Sequence, residues 1–173
     1  MRLTAVHLPI DWESFGLPRR LRAGGVVIAR GERGWAWDGP APDLGFRIVP
    51  VEEAEPVPGW GLDHVVALVP DLDDTKAAMA RSGLEPRRRV IVRDRPTAFF
   101  LAGTLLEVIQ EPTVDHPLLW GIALDTEEPL EEVAERWRTF GHDVSDPRPA
   151  YQQGRSIISV RDAGAGLAVM SQR

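Results

Sequence analysis

The chain has 173 residues, no cysteine and a formal net charge of −6. That length suits one ordinary domain or two small modules, burying roughly 70% of the unfolded surface without a covalent staple. The missing cysteine excludes disulfides, thiolate metal sites and a Cys nucleophile, and the acidic balance excludes a general nucleic-acid surface.

The opening stretch "MRLTAVHLPIDWESF" has an apolar run too short, and too soon broken by Pro9 and Asp11, for a signal peptide. No run approaches the roughly 20 apolar residues of a membrane span. The expectation is a soluble, cytoplasmic globular protein with neither a nucleic-acid nor a membrane partner. Breaks rich in Pro and Gly at Asp38–Gly45, Glu55–Gly61 and Glu111–Pro117 divide the chain. They predict an N-terminal segment over residues 1–58 and modules over 59–112 and 116–173. In the first segment, "RLTAVHLPI", "DWESFGL", "LRAGGVVIARG" and "GWAWDG" read either as a shortened copy of the unit described next or as an appended hairpin. The shortened, degenerate partial module is favoured.

The middle block opens with "LDHVVALVP", a β-branched apolar run that reads as a buried strand. A helix follows over "DLDDTKAAMARSGLEP", capped by Asp71 or Asp73 and stopped by Gly83. Three short strands come next: "RRRVIVR", "TAFFLA" and "TLLEVIQ". The last block repeats that order. "LLWGIALD" is a strand, and "EEPLEEVAERWRTFGHDV" is a helix burying Leu130, Val133, Ala134, Trp137 and Phe140. "RPAYQQG", "RSIISVR" and "GLAVMSQ" complete it. A doubled βαβββ unit is the organising fact, and internal repetition fixes architecture.

Two side chains stand out. His64 lies in the first strand of the first unit and Glu107 in its last, where "TLLEVIQ" is apolar on both faces. An unpaired carboxylate in dry surroundings is costly, so Glu107 needs a partner. Two βαβββ units with His in a first strand and Glu in a fourth resemble the vicinal oxygen chelate superfamily, the glyoxalase, bleomycin-resistance and extradiol-dioxygenase group. "GLDHVVALVPDLD", "FFLAGTLLEVIQ" and "WGIALDTEEPLEEVAERW" carry the likeness, over about Trp60 to Ser171. It implies an α+β fold in which the units curve into an incomplete barrel around a cavity, with extra N-terminal strands here. It also implies a divalent metal held by His64 and Glu107.

A gap-free alignment of the two units sets Trp120 against His64 and Ala168 against Glu107, and neither ligates a metal. The ligand set is therefore incomplete, with His116 the nearest spare imidazole. His64 and Glu107 read equally as a mutual ion pair, which can still act as an acid–base couple with Glu107 moving protons. Tyr151 and Gln153 are further donors to the cavity. "QQGR" before an apolar strand resembles a recurrent feature of uncharacterised glyoxalase-like proteins, placing Arg155 at the cavity against an acidic ligand or, alternatively, in a surface turn. Trp120 at a lost ligand position would line the cavity and make it apolar. "RRRVIVRDR" reads as a charged edge strand or an anion-binding lip.

Two functions follow. One is a protein with a small-molecule cavity for an apolar or acidic metabolite or drug, using Trp120, Tyr151, Gln153 and Arg155. The other is a divalent-metal-dependent lyase, isomerase or dioxygenase working through His64 and Glu107. The short linker "EPTVDHP" is compatible with a homodimer in which units pair between chains.

Overall fold

Alternation of Leu62, His64, Val66 and Leu68 with Asp63, Val65, Ala67 and Val69 suits a strand apolar on both faces, and Trp60–Val69 forms one in the computed structural model, which describes residues 1–172. Arg173, the last residue of the second expected module, lies outside the described residues. In chain order the strands are β1 (Leu3–Leu8), β2 (Arg20–Ala23), β3 (Val26–Arg30), β4 (Gly34–Trp37), β5 (Arg47–Ile48), β6 (Glu55–Pro56) and β7 (Trp60–Val69). Helix α1 (Leu72–Arg81) precedes β8 (Pro86–Val92), β9 (Arg95–Leu101), β10 (Leu105–Gln110) and β11 (Leu118–Thr126). Helix α2 (Leu130–Thr139) precedes β12 (Arg148–Pro149), β13 (Ser156–Val160) and β14 (Gly166–Ser171).

The repeat builds one eight-stranded sheet, ordered β12-β13-β14-β11-β7-β10-β9-β8. Within each unit the first strand lies parallel to the last, β7 beside β10 and β11 beside β14. The units join through the antiparallel pair β7–β11, so they pair within one chain. The architecture is α+β, and the curved sheet is not closed into a barrel.

Local signals set the helices. The Asp71 carboxylate accepts from the Asp73 and Asp74 amides and caps α1, and Gly83, at φ +78°, turns the chain out of it. The stripe expected on α2 holds for Leu130, Val133, Ala134 and Trp137, all buried. Phe140 departs from it: the helix ends at Thr139 and the ring is half exposed. The strand expected over "RPAYQQG" shrinks to Arg148–Pro149, since Tyr151–Gly154 turn back to aim Arg155 inward.

The N-terminal segment makes its own six-stranded sheet, ordered β5-β4-β1-β3-β2-β6. Here too the first strand is followed by a helical turn (Trp12–Phe15) and lies parallel to a later one, β1 beside β3, with one strand fewer between them. One face of this sheet, the convex side of the large sheet and both helices share a single core that includes Ile28, Trp35, Val65, Leu106, Met79 and Trp137. Each fully buried Leu or Ile in it contributes ~1.5–3 kcal/mol. The other face of the small sheet is covered by residues 49–54, which run between edge strands β5 and β6 and seat Val49 and Ala54 on Ala5, Val27 and Ala36.

Candidate small-molecule site

The concave face of the eight-stranded sheet encloses a cavity of about 740 Å³. Alternate residues of four strands form its wall: His64, Val66 and Leu68 from β7, Glu107 and Ile109 from β10, Ala168 and Met170 from β14, and Ile157 from β13. Phe99 and Trp120 extend the apolar surface. The opposite faces of β7 and β10 feed the core through Val65, Leu106 and Val108. The doubly apolar character of "TLLEVIQ" is thus one strand serving core and cavity at once.

His64 and Glu107 meet on this wall. Ladder pairing sets His64 beside Leu105 and Glu107 beside Val66, so the two are diagonal neighbours. His64 Nε2 is 3.3 Å from Glu107 Oε2, and each side chain is 15% exposed. The other ring nitrogen has a partner that the periodicity hides. On β7, His64 opposes Ala123 and Leu62 opposes Leu124, which leaves Asp63 in a bulge. The bulge turns the Asp63 carboxylate to the His64 side, where His64 Nδ1–H donates to Oδ2 at 2.8 Å.

Arg155 stands behind Asp63. Its Nη1 donates to Asp63 Oδ1 and Gln152 Oε1, and its Nε donates to the Ser171 carbonyl at 2.7 Å. The result is a largely buried chain of alternating charge, Arg155–Asp63–His64–Glu107. Burial pulls the imidazole down, but the hydrogen bonds and the attraction of Asp63 and Glu107 outweigh it and raise His64 to about 9. Burial likewise pushes Asp63 up, but His64 and Arg155 prevail and hold it at about 2. At neutral pH the chain is fully ionised at His64 and Asp63.

The other expected contacts divide. Trp120 and Tyr151 line the cavity. Gln153 does not: it is exposed, and its neighbour Gln152 takes the wall position. Arg155 is buried and spent on Asp63, Gln152 and a carbonyl, so it is neither a surface turn residue nor a cavity wall residue. It borders a second hollow of about 380 Å³ with Leu62, Asp63, Asp125 and Gln172. The expected alignment also shifts by one residue. His64 pairs with Leu105, and at the matching place in the second unit Gly121 pairs with Gly166. Gly121 is therefore the counterpart of His64, and Trp120, in the β11 bulge, is the counterpart of Asp63. Ala168 remains the counterpart of Glu107, pairing with Ala123 as Glu107 pairs with Val66.

Two contributors, Arg148 and Arg33, escaped the sequence reading, whereas Arg93 and Arg95 lie in the stretch read as a charged edge strand or an anion-binding lip. Arg93, Arg95 and Arg148 reach the cavity from the β8–β9 turn, β9 and β12. The Arg95 guanidinium is 2.5 Å from Glu111, and Arg148 donates to the Ser159 hydroxyl at 2.9 Å. Arg33, from the turn before β4, donates to the carbonyls of Leu119 (2.8 Å), Trp120 (2.9 Å) and Gly164 (3.2 Å), tying the small sheet to the β11 bulge.

The donor set does not fit the divalent metal that the resemblance implies. A structural or catalytic ion takes three or more protein donors. Here the first unit gives two, already engaged with one another, and the second gives Gly121 and Ala168. Among the described residues no three His, Asp or Glu side chains are placed around one point.

No family profile matches the chain, and no curated protein does. Solved structures do. Methylmalonyl-CoA epimerase from Mycobacterium tuberculosis is 16% identical with a TM-score of 0.54, over 65% of this chain and 88% of that one. Methylmalonyl-CoA epimerase from Streptomyces coelicolor, in complex with 2-nitronate-propionyl-CoA, is 18% identical with a TM-score of 0.51, over 64% and 93%. A hypothetical protein from Bacillus halodurans is 14% identical with a TM-score of 0.53, over 66% and 95%. Each match leaves about a third of this chain uncovered, and identities this low speak to fold alone. The chain has the fold of the vicinal oxygen chelate superfamily.

Proposed function

We propose that this protein binds a small apolar or acidic molecule in its cavity, as a glyoxalase-like binding or sequestering protein. The observation that carries this reading is the cavity itself: about 740 Å³, a volume usual for drug-sized ligands, with an apolar wall and one buried polar pair, His64–Glu107. The apolar wall supplies affinity by desolvation. The pair supplies orientation, because the Nε2–H donor and the carboxylate acceptor stand side by side and match a ligand that presents an acceptor next to a donor. Structural neighbours crystallised with CoA esters are consistent with a ligand-holding use of this fold.

A second reading, a divalent-metal-dependent lyase, isomerase or dioxygenase, draws on one observation. The 3.3 Å between Nε2 and Oε2 equals the spacing of two ligands on one tetrahedral ion with bonds of ~2.0–2.1 Å. It requires the ion pair to open and the remaining donors to come from ligand or water.

A thermal-shift screen of metabolites and drugs tests the first reading. Compounds that bind raise Tm with a logarithmic dependence on concentration, and Ile109→Trp, which fills the cavity, removes the shift. A screen with no stabilising compound, or shifts untouched by Ile109→Trp, contradicts it.

A further inference from the structure

The charge on the cavity wall is lopsided. Four cationic groups reach it, His64, Arg93, Arg95 and Arg148, against two carboxylates, Glu107 and Glu111. His64 faces Glu107 and Arg95 faces Glu111. Arg148 has only a hydroxyl partner, and Arg93 has no ion-pair partner among the described residues. Two positive charges thus remain unanswered at the cavity of a chain whose net charge is −6. Arg93 and Arg148 are exposed and stand at the mouth of the cavity, where an excess of positive charge draws anions toward it.

The chain also accepts strain to put Arg93 there. Val92 pairs with Arg95, so Arg93 and Asp94 form a two-residue hairpin loop. Both have positive φ, +49° and +64°. A hairpin of this kind favours Asn-Gly or Gly-Gly, and an arginine in the left-handed region is uncommon. Strained residues held by their surroundings cluster at ligand clamps. Arg148 comes from the other unit, on strand β12, so the two free guanidiniums approach the cavity from opposite ends of the sheet.

We infer that the ligand is an amphipathic anion: an apolar body seated against Phe99, Ile109 and Trp120, with a terminal carboxylate, sulfonate or phosphate held by Arg93 and Arg148. Guanidinium forks recognise such oxyanions through paired N–H donors. The inference rests on the cavity-binding reading and gives its ligand a charge.

The test uses two fluorescent probes that share one aromatic skeleton, anilinonaphthalene sulfonate (anionic) and phenylnaphthylamine (neutral), titrated into the full chain. The expected result is that the sulfonate binds at least about tenfold tighter, the gain of one charge-assisted hydrogen bond. That advantage falls as salt rises. The double variant Arg93→Gln/Arg148→Gln removes the advantage and leaves the neutral probe's affinity unchanged, with far-UV circular dichroism confirming the fold. Equal affinities for the two probes, or a sulfonate affinity indifferent to the double variant, overturn the anion inference alone. Binding of neither probe, or binding that Ile109→Trp leaves intact, overturns the cavity reading and the inference with it.

Discussion

Asp63 and His64 are adjacent in sequence, and on a regular strand their side chains would point to opposite faces; here they are hydrogen-bonded at 2.8 Å. The β-bulge at Asp63 makes this contact, and Arg155 behind it completes a largely buried chain of alternating charges. Asp63 is therefore a positioning residue for His64. Asp63→Asn keeps the shape and removes the charge, so the His64 pKa should fall from about 9 toward the ordinary value of 6.5. An NMR titration of the imidazole nitrogens checks this. An unchanged pKa would show that Glu107 alone sets it.

Stability should follow these two groups. The His64 pKa is raised, so its contribution is complete below about 6.5 and is lost as pH rises through about 9. The Asp63 pKa is lowered, so its contribution is complete above about 3.8 and is lost as pH falls through about 2. Denaturant midpoints should peak between about pH 4 and 6.5. The alkaline loss attributable to His64 is up to about 3 kcal/mol, since its pKa stands at about 9 against an ordinary 6.5. His64→Gln should flatten that alkaline limb, and a limb of unchanged steepness would assign it elsewhere.

Arg155 is 6% exposed and answers Asp63 in the interior. Arg155→Met removes one of the two cations on that carboxylate and leaves it held by His64 alone, at a cost of about 1.5–3 kcal/mol. Urea unfolding measures it. Asp63→Asn combined with Arg155→Met should cost less than the sum of the two single changes, because both remove the same contact.

Arg33 anchors the Trp120 bulge through three backbone carbonyls. Arg33→Met should destabilise the protein by about 1–3 kcal/mol, chiefly through the part-buried Leu119 carbonyl, because the other two carbonyls lie in exposed surroundings that water reaches. It should also shift the emission assigned to Trp120, read as the difference from a Trp120→Phe background, with Arg33→Lys restoring part of both effects. A stability loss without the emission change would leave Arg33 as an ordinary inter-sheet contact.

Gly121 and Gly166 pair at the second unit's counterpart of His64 and Leu105. A Cβ on Gly121 would meet the Gly166 backbone, and one on Gly166 would meet the Trp120 ring. Gly121→Ala should cost about 3 kcal/mol or more, because rigid backbone cannot yield, whereas Gly39→Ala, whose Cβ meets only an ordinary contact at 3.7 Å, should cost much less. Equal costs would mean that β11 and β14 can part without loss.

Much of this was legible in the sequence, for local reasons. Apolar alternation, the Asp71 cap, the Gly83 stop and the doubled order of elements each depend on a few neighbouring residues, and together they specify the sheet and the His64–Glu107 wall. We propose that residues 1–58 are a degenerate copy of the same unit, on the strength of the parallel β1–β3 pair. What stayed hidden depends on bulges and turns. The Asp63 bulge breaks the period of two, so Asp63 could not be placed beside His64, and the Trp120 bulge moved the alignment by one residue. Arg155 looked like a cavity cation because "QQGR" says nothing of Asp63, which is 92 positions away. Arg93, read within either an edge strand or an anion-binding lip, could not be placed in a loop, because its two-residue hairpin has no Asn-Gly signal to announce it.

The central claim is that His64 and Glu107, where the resemblance implies a divalent metal, form a closed ion pair beside an apolar pocket. Elemental analysis of the native protein as purified, alongside His64→Ala, tests it most directly. The account predicts no stoichiometric divalent metal in either protein. One tightly held Zn, Ni, Mn or Fe per chain, lost in His64→Ala, would contradict it.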